Sequence, residues 1–122
     1  MAENQPIRVV LVEDEEAVCR LLEGYLRRAG CLVTSYPNAQ PLLAELQDAA
    51  LLCDVAVVDL SLPDLPGEQV AARLLAALPS VRVVVTSGLP WDPRSLPQGQ
   101  GRVSFLQKPF RPAQLLELVQ AG

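Results

Sequence analysis

The chain has 122 residues, half of them apolar and a fifth charged, which fits one globular domain that builds a core without disulfides or structural metal. Ten basic residues against fourteen acidic ones leave a formal charge of −4, which argues against a direct nucleic-acid binder with its basic face. Histidine is absent, so histidine catalysis and histidine metal sites are excluded.

Ile7 to Val12 reads as a first strand, rich in β-branched residues. Glu15 to Ala29 reads as a helix, because Val18, Leu21, Leu22, Tyr25, Leu26 and Ala29 recur at helical spacing. Gly30 stops it, since glycine takes the left-handed cap without steric cost. Cys31 to Tyr36 is a second strand, and Leu42, Leu43, Leu46 and Ala49 mark a second helix. Val55 to Asp59 is a short apolar run bounded by turn residues, the pattern of a buried strand. A third helix runs from about Glu68 to Leu78, with Val70, Ala71, Leu74, Leu75 and Leu78 inward, and Pro79 closes it by forcing the preceding residue out of helical geometry. Val81 to Ser87 and Val103 to Gln107 are the last strands. Pro112 to Gln120 is the last helix, with its proline in the first turn.

Strands alternating with helices imply a parallel sheet covered on both faces. One stretch breaks the rhythm. Between Gly88 and Arg102, Pro90, Pro93, Pro97, Gly99 and Gly101 oppose a helix, at about 3 kcal/mol per interior proline and about 1 kcal/mol per glycine. The expectation there is an irregular loop with at most one short turn, from Pro93 to Leu96. Trp91, the only tryptophan, falls in it, either as an exposed contact anchor or folded back over apolar surface. Cys19, Cys31 and Cys53 stand at no metal-ligand spacing and read as reduced core thiols. No run of about 18 apolar residues indicates a membrane span, and the N-terminus lacks the pattern of a signal peptide, so a cytoplasmic location is expected.

In a parallel sheet the C-terminal ends of the strands share one edge, where open α/β sheets hold their ligands. Strand one ends at Glu13-Asp14, strand three at Asp59, strand four at Thr86-Ser87 and strand five at Lys108-Pro109. Three carboxylates would then share one pocket, with a hydroxyl and an ammonium at its rim. Two like charges about 4 Å apart repel by roughly 4 kcal/mol at an effective dielectric near 20, and a hard divalent cation such as Mg²⁺ relieves this through oxygen ligands. A carboxylate can act as a nucleophile toward phosphorus. Lys108 would then neutralise the phosphoryl oxygens and Ser87 would donate to one. Each element alone has a plainer reading: the acidic pair as helix-dipole matching, Asp59 as a turn residue, Lys108-Pro109 as a surface loop. Their convergence on one sheet edge, in chain order, favours the joint reading.

At these residues the chain resembles the receiver domain of bacterial two-component response regulators. The motifs are Val-Glu-Asp-Glu after strand one, Val-Val-Asp-Leu-Ser-Leu-Pro-Asp-Leu-Pro-Gly from strand three, Thr-Ser-Gly after strand four and Phe-Leu-Gln-Lys-Pro-Phe at strand five. The likeness runs from Ile7 to Ala121, so residues 1–122 are read as a single receiver domain. It implies a flavodoxin-like (βα)5 three-layer sandwich with strand order 2-1-3-4-5. It implies phosphorylation of Asp59 by a histidine kinase or histidine phosphotransfer protein. It further implies Mg²⁺, with Mn²⁺ able to substitute, held by Glu13, Asp14, Asp59 and the backbone carbonyl of Ser61. Ser87 matches the switch hydroxyl, Phe105 the aromatic switch position, Lys108 the lysine of the site, and the Lys108–Pro109 bond is expected to be cis.

The resemblance implies a phospho-switch with limited self-phosphorylation and autodephosphorylation rather than a metabolic enzyme. In the family, the side chains two residues after the acceptor and two after the switch hydroxyl, here Ser61 and Leu89, tune dephosphorylation by placing or excluding water; Leu89 cannot orient an attacking water, so a long-lived aspartyl phosphate is expected. The stretch 88–102 departs from the family pattern, where a helix forms an output face with strand five and the last helix. The downstream partner or attached output domain is open, and so is the choice between a stand-alone regulator and a receiver from a hybrid kinase. The alternative is a degenerate receiver that binds partners without phosphorylation. A haloacid-dehalogenase-like phosphohydrolase would want an acid at position 61, which is Ser, and a dinucleotide binder would want a glycine-rich loop where Glu13-Asp14-Glu15 stands.

Overall fold

Runs of five or six residues, three of them valine-rich, form the five strands of the computed structural model, which describes residues 5–48 and 51–121. They are β1 (Arg8–Val12), β2 (Leu32–Tyr36), β3 (Val55–Asp59), β4 (Arg82–Ser87) and β5 (Val103–Gln107). All pair in parallel, in the order β2-β1-β3-β4-β5, the flavodoxin-like order that the resemblance implies. The helices are α1 (Glu16–Arg28), α2 (Ala39–Gln47), α3 (Gly67–Ala77) and α4 (Pro112–Gln120).

Alternate strand residues serve opposite faces, as the pleat requires. Val10, Val12, Ala56, Val58, Val83 and Val85 pack with Leu42 of α2 and Val70 and Leu74 of α3. Val9, Leu11, Val55, Val57 and Val84 pack with Leu22 and Leu26 of α1 and Leu115 and Val119 of α4. Every β3 residue is therefore buried, Asp59 included. Burial of each such aliphatic side chain contributes about 1.5–3 kcal/mol, so β3 is the best-anchored element and a rigid base for its terminal carboxylate.

Element ends fall within a residue or so of the expected ones. Gly30 has φ 96°, and the bonds Gly30 N–H to Arg27 O (3.0 Å) and Cys31 N–H to Leu26 O (3.0 Å) close α1 as a Schellman motif. Leu78 leaves helical geometry before Pro79. On α1 the expected inward set is too wide. Leu21 is 56% exposed and Ala29 is exposed, because a helix lying on one face of a sheet buries a narrower stripe, here Leu22 and Leu26. Leu78 is only half-buried, and Ala49 lies outside the described residues. The three cysteines are free, with Cys31 buried and Cys19 and Cys53 half-buried.

The stretch after β4 needs a correction. It holds two 3-10 turns, Pro93–Ser95 and Pro97–Gly99, where a single turn was expected. Each begins on a proline, whose fixed φ suits a first turn. Asp92 caps the first by accepting from Arg94 N–H at 2.9 Å. Leu96 is buried, and a Cβ on Gly99 would lie 2.4 Å from Val103 and 2.6 Å from Leu75, so this glycine allows the segment to sit flush on α3 and β5. Arg102 then donates to the carbonyls of Leu75, Leu78, Pro79 and Val81, tying the segment's end to the C-terminus of α3.

At the opposite edge of the sheet from Asp59, Asp54 accepts from Arg8 N–H (2.8 Å), Nε (3.2 Å) and a terminal guanidinium nitrogen (2.9 Å). The guanidinium hydrogen bonds hold the Asp54 carboxyl below its usual range. A depressed carboxyl contributes stability above its unfolded pKa and loses it as pH falls through the folded one. After discounting for solvent screening of a half-exposed pair, Asp54→Asn is expected to cost about 1 kcal/mol near neutral pH. Urea midpoints across pH check this. The gap to wild type should close below about pH 4, and a gap independent of pH contradicts the assignment.

Candidate functional site

The C-terminal edge of the sheet is stitched by backbone bonds that continue past the strands. Glu13 N–H donates to Tyr36 O (3.1 Å), Leu60 N–H to Thr86 O (2.9 Å) and Lys108 N–H to Ser87 O (2.8 Å). Each loop that carries a site residue is therefore fixed to its neighbour at the first residue beyond its strand. The Lys108–Pro109 peptide is cis, as expected.

This framework brings Glu13, Asp14 and Asp59 together, with one carboxylate oxygen of each within 4.8 Å of the others. Glu13 is 3% exposed and Asp59 2%, while Asp14 is open to solvent. The Lys108 ammonium donates to Asp59 Oδ2 at 2.9 Å and to Glu13 Oε1 at 3.2 Å. The remaining oxygens are also engaged: Ser61 N–H donates to Asp59 Oδ1 (3.0 Å) and Glu15 N–H to Glu13 Oε2 (3.2 Å). Burial pushes the Glu13 carboxyl up, partly offset by the Glu15 N–H and by Lys108. Burial alone would lower the Lys108 ammonium, but the Asp59 and Glu13 carboxylates outweigh it and hold it above its usual value. With all groups ionised, three carboxylates against one ammonium leave an excess of two negative charges, which a divalent cation matches. All-oxygen ligands in a partly open pocket fit Mg²⁺ or Mn²⁺ rather than a soft metal.

Ser87 is buried at the end of β4, and its Oγ accepts from Leu89 N–H at 3.0 Å. Leu89 itself is 74% exposed. Phe105 is half-buried on β5, opposite Val85, with its ring centroid 6.0 Å from that of Trp91. Trp91 is half-buried and packs against the core, and its indole N–H donates to Glu68 Oε2. Of the two readings of Trp91, the folded-back one holds. Ser61 reaches the site through its backbone N–H.

Two site-building residues carry roles that sequence reasoning missed. A Cβ on Gly67 would lie 2.3 Å from the Asp59 carbonyl and 2.6 Å from Leu60 Cα, so the first turn of α3 sits directly on the backbone of the central carboxylate. Asp64 accepts from Ala39 N–H and Gln40 N–H, both at 2.9 Å, and so caps α2 from 25 residues away, where Asn38 makes no side-chain cap. Those amides hold its carboxyl below the usual range, the Ala39 N–H most of all. Both residues lie in the Leu-Pro-Asp-Leu-Pro-Gly run, which reads as turn chemistry without naming its partners.

A family model described as the response regulator receiver domain matches residues 9–120. The chain belongs to the response regulator receiver domain family. Among relatives, Nodulation protein W of Bradyrhizobium diazoefficiens is 31% identical over 117 residues, 93% of this chain and 50% of that protein. Transcriptional regulatory protein CssR of Bacillus subtilis is 30% identical over 113 residues, 92% and 49% respectively. The chain thus spans about half the length of these relatives. A CheY-like receiver domain protein from Methanospirillum hungatei superposes with a TM-score of 0.81 at 20% identity, covering 96% of this chain and 93% of that one, which shows the shared fold. A receiver domain protein from Bacillus halodurans gives 0.79 at 26% identity, over 96% and 97%.

Gly67→Ala is expected to push α3 away from the Asp59–Leu60 backbone at a cost of about 1–3 kcal/mol. Thermal denaturation should show a clearly lowered Tm, and an unchanged Tm contradicts the close approach.

Proposed function

We propose that this domain is a signalling receiver that accepts a phosphoryl group on Asp59 from a histidine kinase or histidine phosphotransfer protein. The observation that supports it best is the Lys108 ammonium held between the buried Asp59 and Glu13 carboxylates beside an open Asp14. An Asp59 oxygen forms a bond to phosphorus as the bond from phosphorus to the donor's nitrogen or oxygen breaks, and the electron pair leaves with the donor. The Ser61 N–H orients the carboxylate. Lys108 transfers its hydrogen bonds from the carboxylates to the incoming oxygens, so the charge that stabilised the resting site stabilises the phosphorylated one. The Ser87 hydroxyl, whose lone pair holds Leu89 N–H, still has its proton to donate to a phosphoryl oxygen.

Mg²⁺ or Mn²⁺, held by Glu13, Asp14, Asp59 and the Ser61 carbonyl, would supply charge neutralisation at the phosphoryl oxygens. The domain acts as a phospho-switch in the cytoplasm, with its output through a protein partner or an attached domain. No helix among the described residues is long and apolar enough to cross a membrane.

Incubation with Mg²⁺ and acetyl phosphate, followed by intact-mass analysis, is expected to show one added phosphoryl group in wild type and none in Asp59→Asn. An adduct that persists in the variant, or no adduct with any small phosphodonor or kinase, contradicts the proposal. Because Leu89 offers no group to position water, the adduct should last minutes or longer after donor removal, and a half-life of seconds contradicts that part.

A further inference from the structure

Helix α2 supplies none of the site residues, yet it is bonded to both sides of the carboxylate site. From the β3–α3 loop, Asp64 accepts Ala39 N–H on one carboxylate oxygen and Gln40 N–H on the other, both at 2.9 Å. From β2, the Tyr36 hydroxyl donates to Glu45 near the other end of the helix, and the Tyr36 carbonyl accepts Glu13 N–H at 3.1 Å. The helix therefore spans from the loop that follows Asp59 to the residue that holds Glu13. The ends of the β3–α3 loop are fixed by Leu60 N–H on the Thr86 carbonyl and by Gly67 on the Asp59 backbone. Across residues 62–65, the two Asp64 bonds are the only hydrogen bonds to another element among the described residues. The local cap is idle. Asn38 stands at the N-cap of α2, where its side chain would ordinarily accept from the second or third helical amide. The third helical residue is Pro41, which has no N–H, and the second, Gln40, already donates to Asp64. Asn38 Oδ1 is left buried without a hydrogen-bond partner among the described residues, which is unfavourable.

We infer that Asp64 is a positioning residue for the cation site: through α2 it holds the middle of the β3–α3 loop, and with it the Ser61 backbone, at a fixed distance from the Glu13 loop. The inference rests on the proposed Mg²⁺ or Mn²⁺ site, whose ligands come from these two loops. Ser61 N–H orients Asp59 Oδ1 at 3.0 Å, and three residues further on Asp64 ties the loop down. A divalent cation meets oxygens of both loops at once, so its affinity depends on their separation. A helix that needed only a cap would use Asn38 and leave Asp64 to water. Without Asp64, Asn38 takes Gln40 N–H, and α2 keeps a cap but loses its link to Ser61.

Titration of the full chain with Mn²⁺, with free Mn²⁺ read by electron paramagnetic resonance, tests this without any phosphodonor. In about 1 M KCl, charges more than roughly 3 Å apart are screened, so loss of the Asp64 charge does not by itself count. Wild type is expected to bind Mn²⁺, and Asp64→Ala to bind it about tenfold more weakly, the effect typical of residues that orient metal ligands. Asp64→Asn keeps one acceptor oxygen and is expected between the two. Asn38→Asp in the Asp64→Ala background gives α2 a strong local cap without restoring the bridge. Its Tm is expected to return toward wild type while its Mn²⁺ affinity stays about tenfold weak. Equal affinity of Asp64→Ala and wild type overturns the inference and leaves the cation site standing. Recovery of affinity together with Tm in the double variant reduces Asp64 to a helix cap and overturns it as well. No Mn²⁺ binding by wild type overturns the cation reading and the inference with it.

Discussion

The structure depends on one arrangement of charge: the Lys108 ammonium between the Asp59 and Glu13 carboxylates, in a pocket that leaves both acids almost without water. Unpaired, two such carboxylates would repel each other and each would bear a large desolvation cost. The pairing is incomplete by design of the residues present, because Asp14 adds a third carboxylate that Lys108 does not touch. A site with a surplus of negative charge is ready to accept a cation, and on the proposed reading the Lys108 ammonium then turns to the phosphoryl group. Resting stability and chemical readiness therefore come from the same four side chains.

The fold serves this arrangement by holding three loops at fixed spacing. β3 is apolar on both faces and buried along its whole length, so Asp59 cannot shift without opening the core. β1 and β4 flank it, and backbone bonds continue the sheet pattern one residue past each strand end, into Glu13, Leu60 and Lys108. The β3–α3 loop is held from below by the close contact of Gly67 and from the side by Asp64 on the α2 amides. Little freedom remains at the carboxylates, whereas the stretch 88–90 is exposed. On the proposed reading, a fixed site beside an exposed stretch suits a switch.

The site was legible in the sequence because a parallel sheet collects every strand's C-terminal end on one edge. Once the strands were placed, Glu13, Asp14, Asp59, Ser87 and Lys108 had to be neighbours. Contacts that depend on tertiary approach were not legible. Proline and glycine spacing correctly excluded an α-helix between Gly88 and Arg102, but carried no sign that Leu96, Gly99 and Arg102 would dock the segment onto α3. The period-3.6 pattern on α1 counted Leu21 as inward, because periodicity marks a stripe without saying how wide the facing surface is. Asp64 announced a turn, and nothing local said that it would cap a helix 25 residues earlier. The partner of the Trp91 indole was equally hidden, since Glu68 reads as ordinary acid in a first helical turn.

The most direct test of the account is a crystal structure of the domain with Mg²⁺ and beryllofluoride, a stable phosphoryl surrogate. Density for the surrogate on an Asp59 oxygen is expected, with the cation in contact with Glu13, Asp14 and Asp59 and the Lys108 ammonium moved from the carboxylates onto a fluoride. An occupied surrogate elsewhere on the molecule, or on Asp59 with Lys108 still bridging Asp59 and Glu13, would contradict the central claim that these residues form one phosphoryl-accepting site.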